Sequence, residues 1–219
     1  MTINAILTGA TGMVGEGVLH ECLHHDAVAK VLVLGRRPSG ITHPKLTELV
    51  LPDLSDLSAV EDRLTGYNAC FFCLGVSSVG LSEADYTRVT YTLTMHVAQT
   101  LARLNPDLTF GYVSGAGTDS TETGRLMWAR VKGKTENDLR KLFNRAYNFR
   151  PGGLEPTPGL HNTLRYYKYV GWLFPVLRAV APNRVSTLRE LGLAMINAVR
   201  YGYDKPTIEV NDIHTLAKR

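Results

Sequence analysis

Cysteine is scarce in this chain: Cys22, Cys70 and Cys73 are the only three in 219 residues. An odd, unevenly spaced set excludes a disulfide scaffold and points to a reducing compartment. A large excess of one charge is also missing. The net charge of +4 is too small to argue for a nucleic-acid partner, so none is expected. There is no internal repeat and no low-complexity segment. No basic and apolar leader precedes the first apolar run at residue 3, so a cytoplasmic protein is expected rather than a secreted one. What is present, 44% hydrophobic and 20% charged residues, suits one soluble domain over residues 1–219 with a full core.

The first forty residues carry most of the information. Ile3-Asn4-Ala5-Ile6-Leu7 predicts a short buried strand, and it runs into Thr8-Gly9-Ala10-Thr11-Gly12-Met13-Val14-Gly15. A helical pattern with Val18, Leu19, Cys22 and Leu23 follows. Strand, glycine turn and helix in that order make a phosphate-binding device. The first glycine allows the sharp turn, the second lets backbone approach a pyrophosphate, and the third lets helix pack on strand. The free N–H groups at the helix start then face the anion. Context makes this a strong signal.

A second absence refines it. Lys30 to Leu34 reads as a strand ending at Gly35-Arg36-Arg37, where an NAD site would place an acid about 20 residues past the glycines. No acid stands there. Two guanidinium groups suit a 2′-phosphate, so NADP(H) is expected over NAD(H), with Arg36 and Arg37 as its readers.

Strands and helices alternate through the rest, which predicts a doubly wound parallel sheet of about seven strands with helices on both faces. Strands are expected at 46–51, 69–75, 109–114, 146–150 and 207–210. Helices are expected at 57–64, 83–104, 125–144 and from Thr187, where Thr187-Leu188-Arg189-Glu190 reads as a capping box, to about Tyr201.

Two motifs fail on context. His20-Glu21-Cys22-Leu23-His24 matches a zinc-protease spacing, but those residues belong to the helix after the glycine loop and no third ligand follows. No metal is expected. Cys70-x-x-Cys73 has a redox spacing, yet it lies in a strand, where positions three apart face opposite ways. Both cysteines read as core.

Taken together, the chain resembles an atypical short-chain dehydrogenase/reductase, near the small epimerase-like NAD(P)-binding proteins and the Tat-interacting oxidoreductase subgroup. The carriers are Thr8 to Gly15, Gly35-Arg36-Arg37, Asp53-Leu54, Cys73-Leu74-Gly75, Tyr112-Val113-Ser114, Lys132-Gly133 and Arg150-Pro151-Gly152. The resemblance implies that Asp53 and Leu54 flank the adenine and that Leu74 and Gly75 lie along the cofactor. It also implies that Arg150, Pro151 and Gly152 lead past the nicotinamide into the substrate region.

A third absence concerns the chemistry. The family moves a proton with a tyrosine four residues before a lysine, while a serine orients the substrate. Lys132 and Ser114 match the lysine and serine, but Trp128 stands where the tyrosine would be. Indole is only a donor and cannot cycle a proton. Tyr86, Tyr91, Asp119 and Ser120 are possible substitutes without a spacing argument, and Tyr201-x-x-x-Lys205 falls too late in the chain. The resemblance gives Lys132 a contact with the cofactor ribose.

From Pro156 to Arg189 there is no acidic residue at all, but five cations interleaved with aromatics. Residues 152–189 are expected as the substrate-side segment. The stretch 164–181 reads as a lid for an anionic or acyl substrate, a peripheral membrane contact, a homodimer contact, or plain core. Only about 65 residues follow Gly152, which disfavours a nucleotide sugar and favours a small carbonyl or quinone substrate. Two functions fit: an NADPH-dependent oxidoreductase or isomerase, and a catalytically inert NADPH-binding regulator.

Overall fold

The computed structural model describes residues 1–163 and 174–219. Most of the stretch read as lid or membrane contact therefore lies outside the described residues. The strands are β1 (Ile3–Thr8), β2 (Val28–Gly35), β3 (Leu46–Val50), β4 (Ala69–Phe72), β5 (Thr109–Val113), β6 (Ala146–Arg150), β7 (Gly153–Glu155), β8 (Val185–Thr187) and β9 (Thr207–Glu209). Seven of them form one all-parallel sheet in the order β3-β2-β1-β4-β5-β6-β9. The order reverses between β1 and β4, which is where an open α/β sheet binds its ligand.

Each central strand is apolar on both faces because helices cover both. In β1, Ile3, Ala5 and Leu7 face one core and Ile6 the other. In β4, Ala69 and Phe71 face the first, and Cys70 and Phe72 the second. This two-fold alternation between two cores is what a doubly wound sheet requires. The first core is closed by α1 (Met13–His24) and by the helices Leu188–Tyr201 and Val210–Ala217. After α2 (Glu83–Thr87) come α3 (Leu93–Leu104) and α4 (Met127–Leu142), which close the second core together with Leu57 and Leu64.

Several expected elements change form. The strand expected at 69–75 leaves the ladder at Phe72, freeing Cys73 to Gly75 for the ligand side. The stretch 58–64 is a 3₁₀ helix, not an α-helix. The long helix over 83–104 contains a π-helical turn at Arg88–Thr92. The capping box holds: the Glu190 amide donates to Thr187 Oγ1 at 2.9 Å, and the Thr187 amide to Glu190 Oε2 at 2.7 Å. Unexpected are the small parallel pair β7·β8 and the last helix, whose buried Val210, Ile213 and Leu216 recur at helical spacing.

The residues of the two motifs make local contacts. His20 and His24 lie with ring centroids 4.4 Å apart and planes tilted by 31°, and His24 Nδ1 lies 2.8 Å from the His20 carbonyl. Among the described residues no three His, Cys, Asp or Glu side chains are grouped to hold a metal. All three cysteines are free, and burial raises their thiol pKa values, that of Cys73 to about 12. No helix among the described residues is long and apolar enough to cross a membrane.

Candidate functional site

A cleft of about 800 Å³ opens at the carboxyl ends of β1, β2 and β4. Of the residues expected to bind cofactor, Gly9, Thr11, Gly12, Arg36, Arg37, Asp53, Leu54, Leu74 and Gly75 line it. The glycines divide the work. Gly9 has φ +77°, and a Cβ there would lie 2.7 Å from the Cys73 carbonyl carbon. A Cβ on Gly15 would lie 2.1 Å from the Gly9 carbonyl oxygen, whereas one on Gly12 would meet only that oxygen at 3.5 Å. Gly12 thus leaves the backbone approachable, which is what a pyrophosphate needs. Gly15→Ala must push helix from loop, and binding of NAD(P) is expected to be lost while far-ultraviolet circular dichroism stays native. Unchanged binding in a fluorescence titration would refute that role.

Thr8, Met13, Val14 and Gly15 stand behind the cleft and do not line it. Thr8 is fully buried and its Oγ1 accepts the Leu74 amide at 3.3 Å, which holds the two ligand-facing turns together. Met13 and Val14 pack on the first core. Arg36 and Arg37 are exposed at the edge, and among the described residues neither side chain makes a hydrogen bond, so both forks are available. Asp53 accepts the Ser55 hydroxyl at 2.6 Å and the Ser55 amide at 2.9 Å, which lowers its pKa, with a smaller effect from Arg36.

The opposite wall was not anticipated. Arg88, Val89, Thr92, Leu93 and His96 line it, together with Ser55 across the cleft. Their spacing, 88-92-96 beside 89-93, is a helical stripe running through the π turn. The signal was in the sequence, but it is indistinguishable there from an ordinary amphipathic face.

A second cluster gathers at the ends of β5 and β6, and none of its residues lines the cleft. Ser114 is 5% exposed, and its hydroxyl donates to Glu136 Oε1 at 2.5 Å, with the Phe149 carbonyl 3.1 Å away. Glu136 is 1% exposed and receives Arg150 through Nε at 3.0 Å and Nη2 at 2.5 Å. Lys132, one turn before Glu136 on α4, donates to the Ser114 carbonyl. Burial lowers the Lys132 pKa to about 8, against the opposing pull of Glu136. Trp128, one turn further back, lies beside Gly117, where an added Cβ would sit 3.4 Å from the indole. Pro151 accepts the Ala116 amide at 2.9 Å, and Gly152 fits under the Arg184 carbonyl, so both fix loops.

Of the substitutes, Tyr86, Tyr91 and Asp119 are engaged elsewhere, while Ser120 joins the second cluster. Tyr86 is buried, and Tyr91 donates to Asp138 at 2.8 Å. Asp119 accepts the Thr121 hydroxyl and the Gly124 amide, and Ser120 accepts Arg150 at 2.6 Å. Lys205 is tied to Asp212 at 2.9 Å.

An all-parallel doubly wound sheet with a glycine-lined cleft at its switch point defines a dinucleotide-binding protein of the short-chain dehydrogenase/reductase type. The chain belongs to the NAD dependent epimerase/dehydratase family, whose model matches residues 5–123. It is similar to "Protein fmp52-1, mitochondrial" of Aspergillus oryzae, at 31% identity over 156 residues. That match covers 68% of this chain and 65% of the relative, just under two thirds of its length. Protein HTATIP2 of Rattus norvegicus is 26% identical over 200 residues, 84% of this chain and 81% of the relative. The solved ADP-L-glycero-D-manno-heptose-6-epimerase of Helicobacter pylori shares the fold at 16% identity and a TM-score of 0.67, covering 99% of this chain and 81% of that one.

These relatives correct one expectation. Fungal relatives, from Aspergillus oryzae and Scheffersomyces stipitis among others, are named mitochondrial proteins, which overturns the cytoplasmic assignment. The error has a physical source. Free cysteines report a reducing compartment, and the cytosol is not the only one.

Proposed function

We propose that the protein is an NADPH-dependent oxidoreductase or isomerase acting on a small carbonyl or quinone-type compound, in the mitochondrial setting of its fungal relatives. The observation that carries this reading is the cleft itself: an open Gly12 backbone and, at the end of β2, two exposed arginines that make no side-chain hydrogen bond among the described residues, on a turn that has no acid of its own and with Asp53 the cleft carboxylate that Arg36 acts on. When bound, the reduced nicotinamide supplies hydride. Gly9, Thr11 and Gly12 would hold its pyrophosphate, Asp53 and Leu54 the adenine, and Arg36 and Arg37 the 2′-phosphate. Lys132 would hold the ribose.

The chain's own proton chemistry departs from the family pattern. The Ser114 hydroxyl proton is committed to Glu136, so Ser114 is not free to donate to a substrate oxygen. With Trp128 in the tyrosine position, Lys132, whose pKa burial lowers to about 8, is one group able to release a proton near neutral pH. A second reading, a regulator that binds NADPH without turnover, is favoured by Trp128 alone. A contact of 164–181 with a membrane surface or a second copy stays within the proposal, supported by the exposure of Val176, Leu177 and Val180.

The test is a fluorescence titration of cofactor-free protein with NADPH and NADH, alongside Trp128→Phe. NADPH should bind at least about tenfold tighter, which is about 1.4 kcal/mol, and Arg36→Ala with Arg37→Ala should erase the difference. Equal affinities in the parent protein would refute the arginine argument. NADPH oxidation with a carbonyl and quinone panel then separates enzyme from regulator: tight binding without any turnover favours the regulator.

A further inference from the structure

Glu16 lies four residues past Gly12, one turn into the helix that faces the cleft, and is only 2% exposed. A carboxylate withdrawn from water is costly unless its lone pairs are met. Here they are met by two consecutive backbone amides from the far side of the sequence. The His161 amide donates to Oε1 at 2.8 Å and the Asn162 amide to Oε2 at 2.7 Å. Among the described residues no cation pairs with it. The neighbouring Leu160 packs on the same core as Met13 and Val14 of that first turn. Residues 160–162 are therefore seated on the phosphate-binding turn itself, although they leave β7 for the substrate side.

We propose that Glu16 is a positioning residue that couples cofactor occupancy to the placement of the substrate-side chain. This rests on reading the cleft as the cofactor site. An anion at the helix N-terminus orders the first turn through its free N–H groups. The same turn carries Glu16, and two charge-assisted bonds, stronger than neutral ones, pass that order to residues 160–162. Such coupling is reciprocal: whatever factor NADPH adds to the clamp, the clamp adds to NADPH affinity. A carboxylate that served only to anchor a loop would give neither effect.

The experiment is hydrogen–deuterium exchange of the full chain, with and without NADPH, in the parent protein, Glu16→Gln and Glu16→Asp. Peptides over 156–163 are read against 190–201 as an internal check of folding. NADPH should slow exchange at 156–163 by at least about fivefold in the parent, the lower end of ordinary coupling. In Glu16→Gln, whose side-chain NH₂ must face one of the two amides, exchange without NADPH should rise and the NADPH-dependent slowing should vanish. The Kd for NADPH should rise by about the same factor. Glu16→Asp keeps the charge but is one methylene shorter; it should show a reduced response, and it carries the test if Glu16→Gln does not fold. Equal slowing by NADPH in all three proteins would overturn the proposal, as would no slowing in a parent that binds NADPH. If the parent binds neither NADPH nor NADH, the cofactor reading falls and takes the coupling with it, a result separately visible in the titration.

Discussion

Replacing Glu136 with alanine is expected to cost about 3–5 kcal/mol of stability, the usual result of removing one partner from a buried ion pair. The carboxylate is 1% exposed at its side chain and Arg150 11%, so solvent screens neither well. Deleting it leaves the guanidinium, among the described residues, with Ser120 and a 3.3 Å contact to the half-exposed Glu209. It also removes the acceptor of the Ser114 hydroxyl. For a chain of this length a loss of that size lowers Tm by roughly 10 °C. Glu136→Gln, which keeps the shape and one acceptor, should fall between. Urea denaturation of the three proteins decides it. A cost below about 1 kcal/mol would mean that Glu209 and water neutralise Arg150 unaided, and that the pair behaves as a surface contact.

How much of this was legible beforehand follows the range of the interactions. The glycine turn, the strand pattern and the Thr187 cap depend on residues within a few positions of one another, and they stand where they were expected. So do the arginines at the end of β2. What escaped depends on residues far apart. The clamp joins Glu16 to His161 and Asn162, and the Ser114–Glu136–Arg150 network joins three separate elements. Nothing near Glu136 in the sequence marks it as other than one charge on an amphipathic helix. The stripe from Arg88 to His96 had helical spacing, but only the fold shows that the cleft, rather than the core, lies against it. Strand 69–75 was read too long for a related reason: Cys73 to Gly75 are apolar and small enough to continue a strand, and the ligand side claims them instead.

Lys132→Met is expected to make the protein slightly more stable at pH 7 and to abolish the proposed oxidoreductase turnover. Burial lowers the lysine pKa to about 8 from the ordinary 10.5, with Glu136 partly opposing. A lowering of that size corresponds to a folding penalty of about 3 kcal/mol for keeping the ammonium charged. The sign follows from proton counting. Between about pH 8 and 10.5 the unfolded chain holds the proton that the folded chain has released, so stability rises with pH across that window. The penalty is fully present below pH 8 and gone above 10.5. Methionine fills a similar volume without a charge. It loses the charge-assisted bond to the Ser114 carbonyl, worth about 1.5–3 kcal/mol, which offsets much of the penalty it relieves and leaves a small net gain. The difference in unfolding free energy between parent and variant should therefore favour the variant at pH 7 and shrink toward pH 10. A variant less stable than the parent at pH 7 would show that the Ser114 contact outweighs desolvation and that the lysine is structural. Stability gained together with activity lost would instead mark Lys132 as a group kept for chemistry at the expense of the fold.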